Sequence, residues 1–111
     1  MSNMQAIELD INEAKRKIEL GNALTRLKGN PDFNMLIGHH YFIEHAARTT
    51  SLLASPSMQS PQNQALLFGD LRAISELQQF LNMIAVEANK CAEALSEMEE
   101  ARDLIAAGDE E

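Results

Sequence analysis

Residues 77–105 read LQQFLNMIAVEANKCAEALSEMEEARDLI. Leu77, Leu81, Ile84, Ala88, Cys91, Leu95, Met98 and Ile105 recur at alternating steps of four and three, interrupted only by Arg102. That recurrence is a heptad seam, the pattern of a helix packed lengthwise along another helix. Leu67, Leu71 and Ile74 lead into it. Ser60-Pro61 supplies a capping side chain followed by a proline at the first helical position. A helix over residues 61–107 follows. At 1.5 Å per residue it would be roughly 70 Å long, whereas a compact domain of this size has a radius of gyration of only ~13 Å. The helix either breaks near Ala85–Asn89 to form a compact bundle, or stays unbroken with oligomerisation covering the seam. The second arrangement is the one expected. Gly69, which costs up to ~1 kcal/mol relative to Ala in a helix, marks a bend or a close contact.

Two shorter helices precede it. Met4, Ile7, Ile11, Ala14 and Ile18 form one stripe, and Leu20, Ala23, Leu24 and Leu27 continue it with a shift of phase. This predicts an amphipathic helix over about 4–28. Arg26 and Lys28 suit its C-terminal dipole, and Gly29 suits a left-handed residue just past its end. Asn30-Pro31-Asp32 then reads as cap, first-turn proline and first-turn acid. The second helix, over 31–54, carries Phe33, Met35, Leu36, Ile37, Tyr41, Phe42, Ile43, Ala46, Ala47, Leu52 and Leu53, covering most of its circumference. Such a helix is either central and buried on several sides or has an extra face for a partner. Residues 55–60, bracketed by Pro56 and Pro61, read as a loop. Gly108 is expected to end the third helix, leaving an acidic tail over 108–111.

Composition agrees with this reading. The 111 residues suit one domain, 45% are apolar, and there are four Phe, one Tyr and no Trp. With Val86 the only valine, strand formers are scarce, and all-α is expected. The fold class is therefore all-α: a three-helix elongated bundle with a long C-terminal coiled-coil-like helix, forming one domain over 1–111.

The net charge of −8 disfavours nucleic acid and anionic membrane surfaces. The acids concentrated near the C-terminus read as a solvated helix face and tail; a nucleic-acid mimic would carry acid along its whole length. Cys91 is the sole cysteine, so no intrachain disulfide forms, and on the seam it reads as a small hydrophobe. Residues 1–10 lack the basic and apolar regions of a signal peptide, and no apolar run approaches ~20 residues. A cytoplasmic setting is expected.

Catalytic patterns are sparse. His39, His40 and His45 share the second helix, with Glu44 one turn after His40: half a metal site, or polar and packed surface residues that pair. No H-E-x-x-H, CxxC, G-x-S-x-G or Gly-rich phosphate loop occurs. The expectation is a non-enzyme with no cofactor and no metal. Arg102 is either a register-fixing charge at a core position or the point where the seam ends.

Leu27 to Phe33 (L-x-x-N-P-D-F), Tyr41 to Arg48 (Y-F-x-E-x-A-A-R), Leu52 to Pro56 and the Gln- and Leu-rich Gln62 to Leu81 together resemble a group of small, mostly uncharacterised tailed-bacteriophage proteins from the structural (head and neck) gene region. The likeness covers about Ile18 to Glu100. It implies a virion or head-assembly accessory protein that self-associates and binds a capsid, portal or neck component, in the infected host's cytoplasm or in the virion. The alternative is a small oligomeric phage protein that inhibits a host protein or sequesters a signalling nucleotide. On either reading the candidate interface is Leu77, Leu81, Ile84, Ala88, Cys91, Leu95 and Met98, with Phe33, Tyr41 and Phe42 as aromatic contacts.

Overall fold

A computed structural model describes residues 2–109. Among them all regular structure is helical: α1 (Asn3–Lys28), a second helix over 31–52 that we call α2, and α3 (Pro61–Asp109). α3 packs against α1 and is unbroken, including at Gly69 and across 85–89. It also runs through Gly108, because one glycine in the last turn costs only ~1 kcal/mol against its neighbours' preference. Of the acidic tail expected over 108–111, Glu110 and Glu111 lie outside the described residues. Tertiary contacts fall into two compact units, one comprising residues up to Thr25 with those from Met83 on, the other Arg26–Asn82.

In the first unit, α1 turns Met4, Ile7, Ile11, Ala14, Ile18, Gly21 and Leu24 inward, with Ile11, Ala14 and Leu24 buried. The heptad therefore continues as far as Gly21, and the expected shift of phase comes only at Leu24, which is buried where the repeat would place exposed Thr25. Leu20 instead faces outward, 42% exposed. The position an apolar count passes over is Gly21. Its missing side chain leaves room for α3, where a Cβ would overlap Ala88 Cβ. Ala88 is itself buried. Two small residues thus set the closest approach of the helices.

In the second unit, the turn between α1 and α2 is built by side chains. Asn30 Oδ1 accepts from the backbone N–H groups of Asp32 (2.9 Å) and Phe33 (3.2 Å), as the cap reading expected. Gly29, however, is not left-handed: no described residue has positive φ. The end of α1 tightens through Gly29 N–H to Arg26 O (3.1 Å) and Asn30 N–H to Leu27 O (3.0 Å). Asn34 Nδ2 donates to Lys28 O at 2.7 Å. With these carbonyls satisfied, no left-handed cap is required. Asn30→Ala removes both cap bonds and should cost about 1 kcal/mol, measured as a shift in the denaturant midpoint with unchanged slope.

α2 consists of Pro31–Phe33, a π-helical stretch Asn34–His45, and Ala46–Leu52. Its less exposed positions are Phe33, Ile37-Gly38, Tyr41-Phe42, His45-Ala46 and Thr49, a repeat close to four. A 3.6-residue helix would rotate such a stripe by about 40° per step. The wider turn of the π stretch opposes that drift. This corrects the idea of a central helix buried on several sides: no residue of Pro31–His45 is buried, and Met35, Leu36 and Ile43 are more than half exposed. After α2, Pro56–Met58 forms a 3-10 turn. Gln64 Nε2 donates to Leu53 O (3.0 Å) and Met58 O (2.8 Å), tying this loop to α3. Ser60 caps α3 through Oγ, which accepts from Asn63 N–H at 3.1 Å. Leu67, Ile74 and Thr49 are the unit's buried residues.

Candidate functional site

The seam of α3 faces inward. Ala88 is buried, while Leu77, Leu81, Ile84, Cys91, Leu95 and Met98 are half-buried. In the first unit the stripe lies along α1, where Cys91 and Met98 share a cleft of about 130 Å³ with Asp10, Glu13, Ala14 and Lys17. Much of the seam's apolar surface is therefore met within the chain. Arg102 lies on the same stripe. Its guanidinium reaches Asp103 at 3.3 Å and Glu99 at 4.0 Å, and Ile105 and Ala106 continue the less exposed face beyond it. The helix has not ended there. The aliphatic stem of Arg102 can cover apolar surface while its charge reaches those carboxylates.

Phe33, Tyr41 and Phe42 are half-buried on the inward side of α2. Tyr41 lies against Phe42, ring centroids 5.8 Å apart and tilted by 45°, and stacks on His45 at 5.8 Å and 12°. The three aromatics thus belong to the packing of the second unit. On the opposite side, Glu44 Oε1 receives two imidazoles, His40 Nδ1 at 3.6 Å and His39 Nε2 at 3.4 Å. In an α-helix, residues five apart diverge by roughly 140°. The i to i+5 geometry of the π stretch brings His39 over Glu44, a partner the sequence spacing did not reveal. All three side chains are more than half exposed. Among the described residues no group of three or more His, Cys, Asp or Glu is placed to hold a metal ion.

The exposed apolar side chains carry the clearest signal. Among the described residues twelve large ones are more than 40% exposed, whereas six apolar residues are buried. Soluble monomers rarely leave contiguous apolar surface open unless it meets a partner. On α3 in the second unit, Leu66 (66% exposed) and Phe80 (53%) are 14 residues apart, two heptads, with exposed Gly69 and Ala73 between them. A Cβ at Gly69 would meet open space, so this glycine makes no close contact within the chain. The seven-residue recurrence at 66, 73 and 80 is present in the sequence, but with one Leu, one Ala and one Phe it is a weaker pattern than the inward seam. Two further clefts, lined by Gln5, Glu8, Leu9 and Asn12 and by Glu100, Asp103 and Leu104, each lie on one helix.

No helix among the described residues is long and apolar enough to cross a membrane. The chain matches no protein-family model, no curated protein and no solved structure.

Proposed function

We propose that this chain is a non-enzymatic helical accessory protein of a tailed bacteriophage, which self-associates and docks on a capsid, portal or neck component. The observation that carries the interaction reading is the set of large apolar side chains left exposed among the described residues. Burying a Leu or Phe side chain fully is worth roughly 1.5–3 kcal/mol. Exposed groups of this kind gain that stabilisation only where a partner covers them. The long unbroken α3 offers a rigid, repetitive face for that purpose. The assignment to a phage particle rests on the resemblance of residues 27–81 described above.

The test has two parts. Sedimentation equilibrium of the purified protein is expected to show concentration-dependent association. Quantitative mass spectrometry of purified virions, or of assembly intermediates, is expected to recover the protein at a fixed copy number. A protein that stays monomeric and is absent from every particle fraction contradicts the proposal. Recovery instead in a soluble complex with a host protein would favour the inhibitor reading.

A further inference from the structure

We draw no further inference here: the strongest candidate, the exposed Leu66–Ala73–Phe80 stripe of α3, is an unpartnered apolar helix face, and nothing in the structure shows what covers it.

Discussion

Gly21→Leu should destabilise the first unit by about 3 kcal/mol, lowering the melting temperature by roughly 10–20 °C. A Cβ at Gly21 already overlaps Ala88 Cβ. That atom is fixed to the backbone of α3 and cannot swing aside as the end of a long side chain could. A larger group must therefore push the helices apart, loosening the contacts around buried Ile11, Ala14 and Leu24. Alanine is the sharper probe. Gly21→Ala gains up to ~1 kcal/mol of helix propensity, so a net loss of stability reports the clash. Combining it with Ala88→Gly moves the methyl group from one helix to the other and should restore close approach. A favourable coupling of about 1–2 kcal/mol is expected in the double-mutant cycle. Amide exchange should show the loss in α1 first. Wild-type stability in Gly21→Leu would mean that α1 and α3 are not in contact at this level.

The second large effect is expected in the other unit. Leu67→Ala and Ile74→Ala should each cost about 2–5 kcal/mol, the range for truncating buried aliphatic side chains. Leu67 and Ile74 are each 4% exposed, and with Thr49 they are the buried residues of Arg26–Asn82. A domain's whole stability is on the order of 5–15 kcal/mol, so either change removes a large share of it. Urea unfolding read by helicity, together with amide exchange in α2, measures the loss. Exposed Leu66 is adjacent in sequence and makes the comparison. Leu66→Ala should change unfolding of the isolated chain by less than about 1 kcal/mol. Equal effects at 66 and 67 would contradict the inward and outward assignment of this helix.

Much of the architecture was legible because it depends on local chemistry. The caps at Asn30 and Ser60 were readable because a short polar side chain before a proline can satisfy the first free amides of a helix. The inward stripes were readable wherever large apolar residues recur every three or four positions, as in Met4 to Ile18 and Leu67 to Met98. The reading failed where the informative residue was small or the period was not 3.6. Gly21 carries no apolar side chain, so the apolar pattern jumps to Leu20, which is exposed, and regains the inward face at Leu24. α2 looked apolar all round because an α-helical period was imposed on a segment that repeats near every four residues.

The candidate surface divides in the same way. The heptad from Leu77 to Met98 correctly identified a packing face, but periodicity does not say whose helix covers it. In the first unit the structure places α1 there, because Gly21 and Ala88 let the two backbones come close. The stripe at Leu66, Ala73 and Phe80 then stands out as surface left open. Sequence alone determined that the chain is helical, where its helices begin, and that one of them is far too long for a compact core of this size. These follow from capping, propensity and periodicity, which act within a few residues. Only the tertiary structure decided which apolar stripe is used internally and which stays exposed. That choice depends on which backbones can approach, as Gly21 and Ala88, 67 positions apart in the chain, show in the first unit.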